Sequence, residues 1–308
     1  METVMLVANP YAGSVSEWGK EVLIKALRAD FKLEVAETTS RDHASELARD
    51  AADRDFDAVL AFGGDGTINE VAQGLIGSRT ALGILPGGST NVMARATGIP
   101  MHPVDATAYL AHRLASRSTR RINVGRLTFT ATGAERHFLF SGGVGLDAEV
   151  VRRVERSAKP RAGKHDWLFL RHALQAAWSG YRRRDPSVAI AADGEEEERV
   201  VLAVCCNGRP FTYFRHRPVE VCPEARLDGG LDVYGIKKIG THTIGRVAWA
   251  LLVSHAHIGW KEAYYRHDRT GFSVRCDEPL PVQVDGDYIG EYGELRIDLV
   301  PRALDLLI

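Results

Sequence analysis

Gly63-Gly64-Asp65-Gly66-Thr67-Ile68-Asn69-Glu70 follows a short apolar run, Ala58-Val59-Leu60-Ala61-Phe62, and leads into a helix-like segment over residues 69–75. A buried strand thus feeds a glycine turn, and the turn opens a helix. Glycine lets backbone N–H groups approach a ligand closely, and a helix N-terminus carries partial positive charge. Together they make a place for phosphate. Asp65 in the middle of the turn would repel phosphate unless a cation or a donor lies between them, which points to Mg-nucleotide chemistry. Strand–Gly–Gly–helix turns also serve packing alone. The pattern is neither the dinucleotide fingerprint G-x-G-x-x-G nor the Walker pattern G-x-x-x-x-G-K-S/T, since no Lys follows. Taken alone, the segment leaves both readings open.

A second segment shifts the balance. Leu82-Gly83-Ile84-Leu85-Pro86-Gly87-Gly88-Ser89-Thr90-Asn91 is again an apolar strand, a Gly-rich turn and hydroxyl and amide donors, with the helix-like Val92-Met93-Ala94-Arg95-Ala96 after it. Val4-Met5-Leu6-Val7-Ala8-Asn9-Pro10-Tyr11-Ala12-Gly13-Ser14 has the same form. Parallel strands place their C-terminal ends along one edge, where α/β sheets bind ligands. Polar, glycine-rich turns gathered at one edge are hard to explain by packing.

With these residues the chain resembles the lipid kinases that include diacylglycerol and sphingosine kinases, and their bacterial diacylglycerol-kinase-like branch first. Residues 63–70 look like the family's G-G-D-G-T-x-N-E signature, Pro86 to Asn91 are similar to its P-x-G-T-x-N turn, and Asn9-Pro10-Tyr11-Ala12-Gly13 to its N-P-x-x-G. Thr38, ahead of Asp42-His43-Ala44, sits where the family places a nucleotide-contacting threonine, and Val284-Asp285-Gly286-Asp287 resembles V-D-G-E. The resemblance implies an α/β nucleotide-binding domain, Rossmann-like and of the NAD kinase/diacylglycerol kinase type, plus a β-rich antiparallel C-terminal domain. It also implies ATP and Mg²⁺ as cofactors and a membrane lipid as acceptor, diacylglycerol becoming phosphatidic acid.

Residue by residue, Gly64, Gly66, Thr67, Ser89 and Asn91 form the expected phosphate cradle, with Asn9, Gly13 and Thr38 nearer the nucleoside and Gly63 and Thr90 also expected to bind the nucleotide. Asp65 is expected to hold Mg²⁺ directly or through water. Asn69 and Glu70 either contact the nucleotide or cap the helix. Asp285 is the expected base: a carboxylate beside Gly can approach a primary hydroxyl and take its proton. An Asp-Gly hairpin turn is the bland reading of the same pair, and the resemblance favours the base. Asp287 stands where the family has Glu, one methylene shorter.

Asp228-Gly229-Gly230-Leu231-Asp232 resembles a D-D-G-x-L-D segment that holds a structural Mg²⁺ in some members. Asp228, Gly230 and Asp232 are therefore the expected second metal site, against the alternative of a plain turn. Leu227 replaces the first Asp of that segment, and Val92 and Asn123 stand where the bacterial type often carries Asp. A carboxylate network around the metal is thus incomplete, which motivates a rival reading as a catalytically silent nucleotide- or lipid-binding regulator. A sphingosine or ceramide kinase is the nearer rival; NAD kinase shares the G-G-D-G-T turn, but the Val284-Asp285-Gly286 segment and the P-G-G-S-T-N turn favour lipid kinases. His43, His165, His255 and His257 read as surface or core histidines, Ser141-Gly142-Gly143-Val144-Gly145 as a bend, and Asp147 as an outside candidate for substrate contact.

Composition sets the limits. A chain of 308 residues with 45% hydrophobic content can bury a sizeable core. A net charge of −1 argues against nucleic acid as a partner. Cys205, Cys206, Cys222 and Cys276 show no metal spacing and read as buried thiols of a reduced, cytoplasmic protein. No run approaches the roughly 20 apolar residues that cross a bilayer, so the lipid acceptor that the resemblance implies is expected to be met peripherally, without a transmembrane helix and transiently at the inner face of the membrane. A homodimer is left open.

Strands are expected at 4–8, 31–37, 57–62 and 81–85, with helices near 16–29, 43–53, 68–76 and 103–116. That alternation predicts a parallel sheet covered by helices. Beyond residue 120 short alternating runs predict antiparallel strands at 126–130, 136–140, 200–205, 218–222, 231–236, 272–276, 281–285 and 294–299. The expected domains are 1–124 and a β-sandwich lipid domain over 125–294, and the resemblance implies that the strand at about 295–308 rejoins the first. The acidic run 195–198 reads as a solvated hairpin tip, and 164–178 and 243–260 as amphipathic helices that cover the sheet or meet lipid.

Overall fold

Runs without hydrophobic alternation make buried parallel strands, because helices cover both faces of such a sheet. In chain order the elements of the N-terminal part are β1 (Thr3–Ala8), α1 (Glu17–Asp30), β2 (Lys32–Glu37), α2 (His43–Asp53), β3 (Ala58–Gly63), α3 (Asp65–Leu75), β4 (Ala81–Pro86), α4 (Val92–Ala96) and α5 (Pro103–Ala115); of the strands, only the edge strand β2 alternates and is not buried. The computed structural model describes residues 2–10, 17–156, 185–214, 216–238, 246–247 and 249–308. Its chain divides into two units, one of Met1–Ile122 with Pro301–Ile308 and one of Asn123–Val300.

In the first unit the strands run parallel in the order β2-β1-β3-β4. Ala8 pairs with Glu37 and with Phe62, and Gly63 pairs with Pro86. Matched registers bring the C-terminal ends of all these strands to one edge. Every residue of β3 and of β4 is buried. On one face α3 lies against α2, closely enough that a Cβ on Gly74 would stand 2.4 Å from the Ser45 carbonyl oxygen. The helix expected from residue 68 begins at Asp65, with Gly64 extended at its N-cap (φ −87°, ψ −176°).

The second unit is built from β5 (Arg120–Phe129), β6 (Glu135–Phe138), β7 (Ser141–Val144), α6 (Leu146–Arg156), β8 (Val188–Ala192), β9 (Glu198–Val200), β10 (Leu202–Cys206), β11 (Thr212–Phe214), β12 (Arg217–Val219), β13 (Leu231–Ile236), β14 (Ala263–Arg269), β15 (Gly271–Val284) and β16 (Asp287–Leu306). Strands β14-β13-β10-β7-β15-β16 lie side by side, antiparallel throughout. Phe138, Tyr264, Phe272, Val282 and Leu295 fill the core beneath them. β5 begins before Asn123 and β16 ends after Val300, so both strands pass from one unit to the other.

Several expectations need correction. The strands expected at 272–276 and 281–285 are one strand, β15, whose register with β16 shifts between Arg275 and Leu280. Pro279 and Pro281 lack the N–H groups that an unbroken ladder needs. Of the segment read as a bend, residues 141–144 form strand β7, and the bend is confined to Gly145 (φ 95°), which leads into α6. The acidic hairpin tip is ion-paired rather than merely solvated: Glu195 meets Arg266 and Arg269, Glu197 meets Arg275 and Glu198 meets Lys237.

The expected helix at 164–178 lies outside the described residues, as do residues 243–245 and 248 of the other. Within that second segment Ala250–Ser254 forms a π-helical turn and Ala256–Gly259 a 3-10 turn. Leu251 and Ile258 pack inward, whereas Trp249 is 63% exposed and Val253 45%. All the cysteines are buried free thiols.

Candidate active site

In the first unit the strand ends hold one another. The Asn9 amide donates to the Phe62 carbonyl at 3.0 Å, and its Nδ2 to Thr67 Oγ1 at 3.0 Å. Buried Thr38 donates from its backbone to Ala8 at 2.9 Å. The two glycine turns touch backbone to backbone. Gly87 donates to the Gly63 carbonyl at 2.8 Å, and a Cβ on Gly88 would lie 2.7 Å from Gly64 Cα. No side chain fits between them.

Asn91 closes the second turn. Its backbone is left-handed (φ 49°), its Oδ1 accepts from Gly88 N at 2.9 Å, and its Nδ2 donates to the Gly88 carbonyl at 2.7 Å. Thr90 offers its carbonyl to Arg95 Nε at 2.9 Å, while Ser89 is exposed. Asp65 joins the turns: its Oδ1 accepts from Met93 N at 3.3 Å. Burial raises the Asp65 carboxyl above its ordinary range, against backbone hydrogen bonds from Val92, Met93 and Asn91 and the charge of Arg95.

The first intrahelical bond of α3 runs from Ile68 N to Gly64 O at 3.1 Å. The amides of Asp65, Gly66 and Thr67 precede it and have no partner in the helix's own ladder. That cradle, with a carboxylate beside it, fits a phosphate accompanied by a hard cation. Asn69 and Glu70 lie in the second turn of α3, so the capping alternative falls away. Asn69 is buried, with Gln73 Nε2 donating to its Oδ1 at 3.2 Å. Gly13 lies outside the described residues.

In the second unit Asp285-Gly286 is indeed a two-residue hairpin turn, with φ 48° and 85° and Val284 paired to Asp287. The Asp285 side chain is nevertheless 4% exposed rather than at an open tip. It accepts backbone N–H bonds from Leu139 (2.7 Å), Phe140 (3.0 Å) and Ser141 (2.9 Å), and its own amide donates to Ser141 O at 2.8 Å. Asn207, fully buried, grips the same corner from the other side. Its Nδ2 donates to the carbonyls of Asn123 and Leu139, each at 2.8 Å, and its amide to Phe140 O at 2.9 Å. Asp287 is half-buried, as the first residue of β16.

Gln283 and Asn207 carry this arrangement and escaped the reading of the sequence. The only signal was a lone amide within or just beyond an apolar run. Buried Gln283 accepts from Gly286 N at 2.9 Å and donates to Asp147 Oδ2 at 3.0 Å. Gly143 makes room for that carboxylate, since a Cβ there would lie 1.8 Å from Asp147 Oδ2. Asp147 Oδ1 is buried with no hydrogen-bond partner, and burial pushes this carboxyl up to about 6.

A raised folded pKa means that Asp147 binds its proton more tightly in the folded chain. The stability it lends is full below about pH 4 and is lost as pH rises through about 6. Asp147→Asn has no proton to lose. Its urea-unfolding free energy should gain about 1–3 kcal/mol on wild type between about pH 4.5 and about pH 7.5. Parallel pH curves for the two proteins would place water on the Oδ1 atom instead.

The expected second metal site has a different structure. Asp232 is fully buried, and its oxygens accept from Tyr265 Oη (2.7 Å), Asp268 N (3.0 Å) and His267 Nδ1 (2.8 Å). Asp228 pairs with Arg226 at 3.1 Å, and Gly230 donates its N–H to Asp268 Oδ1 at 2.7 Å. Among the described residues no group of three His, Cys, Asp or Glu side chains could hold a metal ion. The acidic donors expected for the ion already serve the protein. Three of the histidines singled out in the sequence have protein partners: His43 accepts from Thr39 N, His255 lies 3.4 Å from Glu220, and buried His257 meets Val221 O at 2.8 Å. His165 lies outside the described residues.

Comparison with known proteins bears on the whole arrangement. Residues 3–127 match the family model described as the diacylglycerol kinase catalytic domain. A curated diacylglycerol kinase of Bacillus subtilis is 27% identical over 296 residues, covering 94% of this chain and 91% of that protein. The crystal structure of a diacylglycerol kinase from Bacillus anthracis aligns with a TM-score of 0.70 at 21% identity, covering 99% of this chain and 96% of the other. An NAD kinase from Archaeoglobus fulgidus, crystallised with ATP, aligns at 0.53 and 16% identity over 99% and 94%. These solved structures share the fold: an N-terminal α/β parallel sheet and a C-terminal antiparallel, β-rich region.

Proposed function

From a chain whose residues 3–127 belong to the diacylglycerol kinase catalytic domain family, we propose an ATP-dependent lipid kinase that moves the γ-phosphate of ATP to the hydroxyl of a membrane lipid, diacylglycerol first. The observation that carries the reading is the meeting of strand ends at one sheet edge. There the 63–67 and 86–91 turns touch through glycine backbone, and the first amides of α3 stand beside the Asp65 carboxylate. The shared name of the Bacillus subtilis relative supports the acceptor class.

In this reading the amides of Gly64, Gly66 and Thr67 and the Ser89–Asn91 turn bind the nucleotide's phosphates, with Asn9 and Thr38 nearer the nucleoside. Asp65 would hold Mg²⁺, which supplies charge neutralisation between phosphate oxygens. Asp285 is the general base. Three backbone donors fix its position, and in a loose phosphoryl-transfer transition state orienting the hydroxyl matters as much as taking its proton. Asp147 and Asp287 are candidates for contact with the acceptor. Lipid would be met at the membrane surface through the exposed Trp249 and Val253, side chains suited to a bilayer interface. No described helix is long and apolar enough to cross a membrane.

The test is transfer of labelled γ-phosphate from ATP to diacylglycerol, monoacylglycerol, sphingosine and ceramide in mixed micelles with Mg²⁺. Labelled phosphatidic acid is the expected product. Label only on a sphingoid lipid would move the acceptor and keep the chemistry. ATP bound with no lipid labelled would favour a silent regulator, the reading to which Val92 and Asn123 lend weight.

A further inference from the structure

The loop 227–232 has the outline of a cation site and none of its available donors. Mg²⁺ and Ca²⁺ bind through six or more oxygens, several of them charged. Here Leu227 contributes no carboxylate. Its side chain instead sits over Gly208, where a Cβ would come within 2.9 Å of Leu227 Cδ2. Two of the loop's backbone carbonyls are engaged by Asn123 as well. Leu227 O accepts from Asn123 N at 2.9 Å, and Gly229 O from Asn123 Nδ2 at 2.8 Å. An Asp at 123 could not make that second bond, because an ionised carboxylate only accepts. Asp232 has donors on both oxygens, Asp228 faces Arg226, and Gly230 is bound by Asp268.

We propose that this loop is closed by protein donors in place of a divalent cation, with the Asn123 amide, the Tyr265 hydroxyl and the His267 ring doing the tying that an ion would otherwise do. Losing a carboxylate at position 227 removes one negative charge, and with it the need for a dication to offset repulsion. Two substitutions therefore act together: Leu227 lowers the charge and Asn123 supplies the donor. The second unit then keeps its fold in a chelator. The inference concerns this loop alone and stands whether or not the chain phosphorylates lipid; a metal brought by a nucleotide belongs to Asp65 and the first unit.

The experiment is thermal unfolding of the nucleotide-free full chain in EDTA, in Mg²⁺ and in Ca²⁺, with wild type beside Asp228→Asn. The expected result is one Tm for wild type in all three, within about 1 °C. Any general effect of cations, including one at Asp65, appears equally in both proteins and leaves the inference standing. A cation-induced rise in wild type that exceeds that of Asp228→Asn by more than about 3 °C would overturn it. Asn123→Asp tests the donor: its Tm should fall by several degrees in EDTA, and an unchanged Tm would remove Asn123 from the lock. Leu227→Asp combined with Asn123→Asp restores both carboxylates, and its Tm should become cation-dependent where wild type's is not. A cation-insensitive double variant would count against the charge argument.

Discussion

Asp285→Asn should cut lipid phosphorylation by at least about 10³-fold, the scale of a lost general base, while lowering stability by about 2–4 kcal/mol. Both effects follow from one carboxylate. Its oxygens take N–H bonds from Leu139, Phe140 and Ser141 in a site 4% exposed. An Asn amide offers a single accepting oxygen, so its NH₂ must face at least one of those donors. A buried N–H then loses its partner and gains a neighbour of like polarity. Folding and chemistry can be read apart: the urea midpoint reports the first, and ATP affinity, which belongs to the other unit, should not move. If the folded variant still labels lipid within about tenfold of wild type, the base lies elsewhere and Asp285 serves only to tie the corner.

Gly88→Ala should weaken ATP binding by at least about tenfold, or about 1.4 kcal/mol. The added Cβ would stand 2.7 Å from Gly64 Cα and 3.0 Å from Asn91 Oδ1. The nearer atom is backbone, so relief requires the two turns to part, and Gly64 caps α3. Amides at that cap would leave their places by a few tenths of an ångström or more. Gly77→Ala is the control. Its φ of +84° makes any side chain strained, yet nothing lies within 4 Å of its Cβ. It should cost about 1 kcal/mol of stability and leave ATP affinity unchanged. Equal loss in both variants, or none in Gly88→Ala, would take the phosphate cradle away from this turn.

The strand ends were legible because each depends on its neighbours in sequence. An unalternating apolar run becomes a buried parallel strand, and a Gly-rich turn after it becomes a helix start. What escaped depends on residues far apart. Leu139 and Asp285, which share a 2.7 Å hydrogen bond, are 146 positions apart, and Asn207 reaches Leu139 across 68. Nothing beside Asn207 or Gln283 announces such partners. The lock on Asp232 was hidden in the same way. Tyr265 and His267 come to it from β14, next to a register irregularity between Leu231 and Val233 that periodicity does not reveal. The helix start at Asp65 was displaced for a local reason: Gly64 can be read as turn or as cap, and only its extended backbone decides.

The path of β16 has a consequence for how the protein is made. Its end, within Pro301–Ile308, belongs to the first unit, where Leu306 pairs with Leu82 and Leu304, Leu306 and Leu307 are buried. On the ribosome residues 1–122 emerge early, but their sheet lacks an edge until everything through Asn123–Val300 has been synthesised. The first unit to be translated is therefore the last to be completed. Throughout that interval β4 presents an apolar, unpaired flank to its surroundings, a form in which nascent chains call on chaperones.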